Sequence, residues 1–314
     1  MLALVLLPSL ASAFFPLVRE SQLPLYGKRV LVAASRAEAA PLAAALITAG
    51  ARPLWCEGAI AEPLDESSVG QLDDAMLRLT EYDLLLLLSR SAVDAIAQRG
   101  LLLSDSSTDA LQLMLRASGI EVAAMAPTAL HLSNTLGLSA IVPADASADG
   151  LSAALAALGT LREGTKVLVP TAQLAPPLRE APNARACIER LRADGALVEC
   201  VEAYALRPAG EAALAREAGG ARGAAWLHEG FDAVCVGSAL DAQGLAHSLG
   251  VPTEGASGGD APFVVAVSAE ADAASRELFG WEAGLVVSAG SPDGQATAIV
   301  DGLERHFSQG RLLF

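Results

Sequence analysis

Ser35-Arg36, Ser89, Pro127-Thr128, Thr171, Gly237-Ser238 and Ser268 each follow an apolar run that reads as a buried strand. In open α/β sheets ligands bind beyond the carboxyl ends of the strands. A serine or threonine at such a place caps the helix that follows. It also leaves spare first-turn amides able to hold a carboxylate. Both readings stay open for each hydroxyl, and the paired occurrence of Ser89 and Ser238 favours ligand contact in addition to capping. Tyr204 stands near another strand end, after Val198, Cys200 and Glu202. Its phenol can donate a hydrogen bond to a leaving oxygen without ionising; the alternative is a rim tyrosine packed between domains. No Ser-His-Asp arrangement, paired-carboxylate motif or strand-end lysine stands out, so covalent catalysis is poorly supported. Cys56, Cys187, Cys200 and Cys235 form no CxxC, and His131, His228, His247 and His306 share no ligand spacing. Buried thiols and no metal site are the expectation.

The elements that must position these residues repeat. Glu81-Tyr82-Asp83 leads through Leu84–Leu88 to Ser89 and a helix-like stretch with Ala92, Val93 and Ile96. Phe231-Asp232 leads through Ala233–Val236 to Gly237-Ser238 and a stretch with Leu240, Leu245 and Leu249. A buried strand delivering a serine to a helix start, twice, predicts two similar α/β domains facing one ligand. A strand at 29–33, a helix over 37–49 ended by Gly50 and a strand at 52–56 open the chain as a parallel β-α-β unit. That opening lacks GxGxxG, so there is no dinucleotide fingerprint. The Pro63-containing stretch 57–66 reads as a crossing between domains. Strands at 84–88, 120–125, 140–143, 166–169 and 197–204 predict a five-stranded unit. Only three strands, 233–236, 263–267 and 285–287, lie beyond residue 231. Their sheet needs the two N-terminal strands, so the chain leaves its first domain early, builds the second and returns. The expected division is a leader over 1–26, one discontinuous domain of 27–60 plus 205–314, and a second domain of 64–204. The Ala/Gly-rich stretch 208–230 reads as a surface helix with a join or as an irregular insert, and the glycine-rich 252–262 as a loop.

The chain has 314 residues, 53% of them apolar and 4% aromatic, with a formal charge of −15. Its length fits two domains. The acidic balance argues against a nucleic-acid partner and leaves an anionic small molecule open. Leu2–Leu7 forms a short apolar region before Ala11-Ser12-Ala13, a plausible cleavage site without a basic n-region. It is too short to span a bilayer. With Phe14 it resembles the signal-peptide junction of bipartite plastid presequences, and four unpatterned cysteines suit a reducing compartment. Plastid stroma is the expected location, with secretion or the cytoplasm as alternatives.

The order of segments resembles the uroporphyrinogen-III synthase family. The opening Lys28–Val32 with Gly50, the run Tyr82–Ser89 continued by Ala92-Val93, and Val122–Pro127 with Thr128-Ala129 carry the first part of the likeness. Gly164–Val169, Gly195, Val198 and Val201–Tyr204, then Phe231–Ser238 and Phe263–Ala274, carry the rest, so that it covers about 27–310. Ala126 and Ser268 stand where the family usually has glycine. Leu88, Gly237 and Glu270-Ala271 also depart from its usual turns.

The resemblance implies two open parallel-sheet domains, flavodoxin-like, joined by a two-stranded linker with the cleft between them. It implies a monomer that uses no cofactor and closes hydroxymethylbilane to uroporphyrinogen III, with loss of water and inversion of ring D. On it, Tyr204 is the hydrogen-bond donor to the departing hydroxyl. Amides and turns around Ser35, Arg36, Ser89, Pro127, Thr128, Thr171, Gly237, Ser238 and Ser268 hold the substrate carboxylates. A noncatalytic tetrapyrrole-binding relative and a two-lobed binding protein for a small anion are the other readings.

Overall fold

The computed structural model describes residues 23–103, 108–210, 230–249, 262–287 and 292–309. Residues 1–22 of the expected leader, and all but the margins of the 208–230 and 252–262 stretches, lie outside the described residues.

Two five-stranded sheets are present. The first begins with β1 (Arg29–Ala33), α1 (Arg36–Thr48) and β2 (Arg52–Cys56). It is completed near the other end of the chain by β8 (Ala233–Val236), α8 (Ala239–Ser248), β9 (Phe263–Ala266), α9 (Ala269–Phe279), β10 (Ala283–Val286) and α10 (Pro292–Gln309). Its order is β10-β9-β8-β1-β2 and every pair is parallel. The second sheet is built from β3 (Ala59–Pro63), β4 (Leu84–Leu87), β5 (Glu121–Ala124), β6 (Lys166–Leu174) and β7 (Leu197–Pro208), in the order β3-β7-β6-β4-β5. Its helices are α2 (Gly70–Leu77), α3 (Arg90–Leu103), α4 (Thr108–Ala117), α5 (Ala126–Leu136), α6 (Ala148–Ala157) and α7 (Pro182–Ala193). No helix among the described residues is long and apolar enough to cross a membrane.

The strand sequences explain why each sheet is covered on both faces. In β4, Leu85 and Leu87 join the cluster under α2 to α5, while Leu84 and Leu86 join the one under α6 and α7. In β1, Val30 and Val32 face α1 and α10, while Leu31 and Ala33 face α8 and α9. A strand apolar at every position suits a parallel sheet sandwiched by helices. Each fully buried leucine of β4 contributes roughly 1.5–3 kcal/mol of transfer free energy.

Three expectations need correction. Residues 140–143 form no strand; Ile141 makes only an isolated bridge to Ala123. The fifth strand of the second sheet is instead β3, which runs antiparallel to β7 from Ala59↔Pro208 to Pro63↔Tyr204. The 57–66 stretch, expected as the crossing between domains, pairs there with the returning chain, because each of the two crossing segments satisfies the other's backbone groups. Strands β6 and β7 also run on past their expected ends, so Thr171 lies within a strand rather than after one. The third correction concerns the leader. Leu25 is fully buried in the core under α1, its amide donates to Ala49 O at 3.0 Å, and Leu23 packs beside Gly50. Residues just before 27, expected to belong to the leader, therefore contribute to the core of the first domain.

Helix α8 is pressed onto the crossing. A Cβ on Gly244 would lie 1.8 Å from Gly58 O, and one on Gly58 would lie 2.4 Å from Asp241 Cα. Only glycine at both positions permits this approach. Leu240, from the same helix, packs against the core of the second sheet.

Candidate functional site

Strand order fixes where a ligand can enter. In the first sheet the chain goes outward from β1 to β2 and later returns on the other side of β1 at β8. In the second it goes outward from β4 to β5 and returns on the other side of β4 at β6. The crevices at such reversals are where open α/β sheets take their ligands. Ser35 and Gly237-Ser238 follow the strands flanking the first crevice. Ser89 follows one strand of the second, and Pro170-Thr171 lies in the other.

Two neighbouring cavities occupy this region. One, of about 390 Å³, lies between the sheets: Ala34, Gly237 and Val267 face Arg90, Ala126 and Pro127, with Glu38 of α1 and Gln295 of α10 beside them. The other, of about 640 Å³, is lined by Ser89, Thr171, Tyr204, Leu240 of α8, and by Arg185 and Arg192 of α7 with Glu180 and Glu189 beside them. Ser89 and Arg90 are consecutive, so the start of α3 belongs to both. A third cavity of about 200 Å³ reaches Tyr204 from another side but carries Glu62, Glu66 and Asp94 against one cation, Arg99, itself paired with Asp73, a balance that disfavours a carboxylate ligand.

Tyr204 is placed by a distortion of its strand. Thr171 pairs with Glu202 while Ala172 pairs with Tyr204, so Ala203 is an extra, bulged residue. A bulge re-aims the side chains around it, and Tyr204 lies just after it in the run Ala203–Leu206 that is buried at every position. The phenol is only 7% exposed, and its Oη lies 2.7 Å from Ser89 Oγ. Ser89 Oγ in turn accepts the amide of Ala92 at 3.1 Å. Burial pushes the phenol above its ordinary range, opposed by the Ser89 hydrogen bond. Tyr204 therefore stays a neutral donor at physiological pH. With the serine hydroxyl donating to Oη, the phenolic proton is free to point at a ligand oxygen.

The other sequence-predicted residues divide. Pro127 and Gly237 line the first cavity, and Thr171 lines the second with its Oγ1 donating to Val201 O at 3.3 Å. Ser238 and Ser268 cap α8 and α9, accepting the amides of Asp241 and Ala271 at 3.1 Å each. Each cap occupies one first-turn amide and leaves others unpaired within the helix. Ser35 does not cap α1 with its side chain; its hydroxyl donates to Glu38 Oε2 at 2.9 Å. Arg36 is exposed, 6.0 Å over the Trp55 ring, and Thr128 is buried in the first turn of α5. Neither of these two side chains lines the two cavities.

Several groups at the site escape sequence reasoning. Arg90 Nη1 lies 3.6 Å from Glu38 Oε1, joining the two domains across the first cavity. Nothing in the sequence ties residues 38 and 90 together, although Arg90 stands visibly at the start of a helix. Arg185 and Arg192, on the outer face of α7, read as ordinary surface cations. Asp241 accepts from Ser238 Oγ at 2.7 Å, is buried at the crossing, and is pushed up to about 7, chiefly by desolvation. The spacing Ser238-x-x-Asp241 is a capping signal, but its burial against Gly58 is purely tertiary.

Two open α/β sheets presenting strand ends to a shared cleft define a two-domain ligand-binding protein. The model of the family described as uroporphyrinogen-III synthase HemD matches residues 40–283. The chain belongs to that family. No curated protein matches it. Among solved structures it is similar to a mutant uroporphyrinogen III synthase from the extremely thermophilic bacterium Thermus thermophilus. That chain is 20% identical, with 89% of this chain and 100% of the other covered at a TM-score of 0.54. The wild-type enzyme of the same organism, in another crystal form, is 20% identical over 91% and 100% of the two chains, at a TM-score of 0.41. At such identity the first of these likenesses speaks for the fold, which is the two-domain, mostly parallel arrangement expected from the sequence.

Proposed function

We propose that this chain closes hydroxymethylbilane to uroporphyrinogen III, with Tyr204 as the hydrogen-bond donor to the departing hydroxyl. The observation that carries the reading is the hydroxyl pair of buried Tyr204 and half-buried Ser89, 2.7 Å apart at the cavity between strand ends, in a chain of this family. The reaction requires no protein nucleophile. A pyrrole nitrogen lone pair expels the terminal hydroxyl, which leaves as water once it has gained a proton, and an azafulvene remains. Attack by the substituted carbon of ring D gives a spiro intermediate; its fragmentation and reclosure invert that ring. A neutral phenol suits the first step because it donates to the leaving oxygen as the bond breaks.

The rest of the protein's contribution is conformational. A flexible linear tetrapyrrole must be held so that the substituted carbon attacks rather than the free one, which is a matter of orientation. The turn and first-turn amides at Ser35, Ser89, Pro127-Thr128, Gly237-Ser238 and Ser268, with the strand edge at Thr171, offer donors for its acetates and propionates. Arg185 and Arg192 stand along one wall, where Glu180 and Glu189 pair with Arg185 and leave that wall close to neutral. The protein is proposed to act as a monomer in the plastid stroma, with no nucleic-acid partner. The location rests on the Ala11-Ser12-Ala13-Phe14 junction, and an import assay with isolated plastids tests it.

A coupled assay with hydroxymethylbilane tests the activity. Isomer III formed faster than the spontaneous closure is the expected result. Uroporphyrinogen I alone, at the nonenzymatic rate, sinks the reading.

A further inference from the structure

The cavity between the sheets has a simple electrical content. Its walls are largely apolar side chains and turns, and among the described residues the charged side chains lining it are Glu38 and Arg90. They come from opposite domains: Glu38 from the first turn of α1, Arg90 from the first position of α3. They lie 3.6 Å apart, as an ion pair without a hydrogen bond shorter than that. The other oxygen of Glu38 is held by Ser35 at 2.9 Å, so the carboxylate is steered toward the cleft by its own helix start. An acidic side chain pointed into a cleft that receives a polyanion is unfavourable unless it does something before the ligand arrives.

We infer that Glu38 is a resident stand-in for a ligand carboxylate: it masks Arg90 in the empty cleft and yields it to a substrate carboxylate on binding. This rests on the functional reading above and deepens it by assigning a recognition residue and the device that guards it. Arg90 offers a planar fork of donors matched to a carboxylate. Its place at the amino end of α3 adds the helix's favourable end to the guanidinium charge. A ligand with a single weak anionic group does not displace a carboxylate already in place. One with several carboxylates, held at once by the surrounding amides, does, so the pair discriminates in favour of a polycarboxylate. The same pair ties the two domains together while the cleft is empty, and exchange releases that tie as the ligand enters.

The test is a double-mutant cycle on the full chain with E38Q, R90Q and E38Q/R90Q, reading KM, kcat and isomer-III yield with hydroxymethylbilane. Circular dichroism confirms folding of each variant. R90Q is expected to raise KM about tenfold, the scale of a lost charge-assisted hydrogen bond, with a smaller effect on kcat. E38Q is expected to lower KM about two- to fivefold, the size of a partly exposed ion pair, and to do so only when Arg90 is present. An equal effect of E38Q in the wild-type and R90Q backgrounds overturns the inference, because it shows simple repulsion of the substrate rather than masking. An unchanged KM in R90Q overturns it too. In both cases isomer-III production by the wild type keeps the functional reading standing. If the wild type yields only isomer I, that reading fails and takes the inference with it.

Discussion

Replacing Tyr204 with Phe removes one oxygen and keeps the ring, and the structure sets the size of the consequences. Folding loses the 2.7 Å contact with Ser89, about 0.5–1.5 kcal/mol for a typical hydrogen bond. Ser89 Oγ keeps its bond from the Ala92 amide, and its hydroxyl proton, on a half-buried side chain facing the cavity, can turn to water, so a drop in Tm of only a few degrees is expected. Catalysis should lose more. A positioned general acid contributes about 10²–10⁴-fold; because the azafulvene also forms without assistance, a loss of roughly tenfold or more, about 1.4 kcal/mol upward in barrier, is the expected floor. KM should move less than kcat, since the donor matters as the bond breaks. The assay is initial-rate formation of uroporphyrinogen III from hydroxymethylbilane, with isomers separated after oxidation. S89A makes the result specific. If Ser89 acts by donating to Tyr204 Oη, its removal slows the wild type but adds little to Y204F. Unchanged turnover and normal isomer-III yield in Y204F would remove Tyr204 from the mechanism. Equal cost of S89A in both backgrounds would remove the relay.

Other outcomes follow from packing and charge. Asp241 is held up to about 7 in the fold against 3.8 as its ordinary value, so the folded state binds more protons between those values. Its contribution to stability is therefore present below about pH 4 and lost as pH rises toward 7. D241N should flatten that slope in urea unfolding, and an unaltered slope refutes the assignment. Leu25→Ala should cost about 2–5 kcal/mol in the same measurement, whereas deleting residues 2–21 leaves the Leu23 and Leu25 contacts in place and should leave Tm nearly unchanged; a loss below about 1 kcal/mol for L25A would show that this turn is dispensable. Gly244→Ala drives a methyl into Gly58 O, 1.8 Å away before relaxation. It should destabilise by roughly 1–3 kcal/mol or more, with wild-type stability as the refuting result.

Most strands of the two sheets, and most of the residues that fill them, are legible in the amino-acid sequence. Four consecutive leucines at Leu84–Leu87, or Val30-Leu31-Val32-Ala33, can be buried on both faces only in a parallel sheet covered by helices. Local periodicity and turn chemistry are properties of neighbours in the chain, and they survive being read one segment at a time. The serines after β4, β8 and β9 were legible as caps for the same reason. Residues 140–143 misled because four apolar positions cannot show whether a partner strand lies within reach.

What the chain could not show is whatever depends on residues distant in sequence meeting in space. The bulge at Ala203 that turns Tyr204 toward Ser89 exists only because β6 and β7 pair with unequal residue counts. The pairing of β3 with the end of β7 required the chain to leave and return at one place. Glu38 facing Arg90, and Asp241 sealed against Gly58, arise where the two domains press together. Burial and charge proximity at those points are set by tertiary packing, which no local pattern encodes; the tools of the chemistry were written in the sequence, and their aim came from the fold.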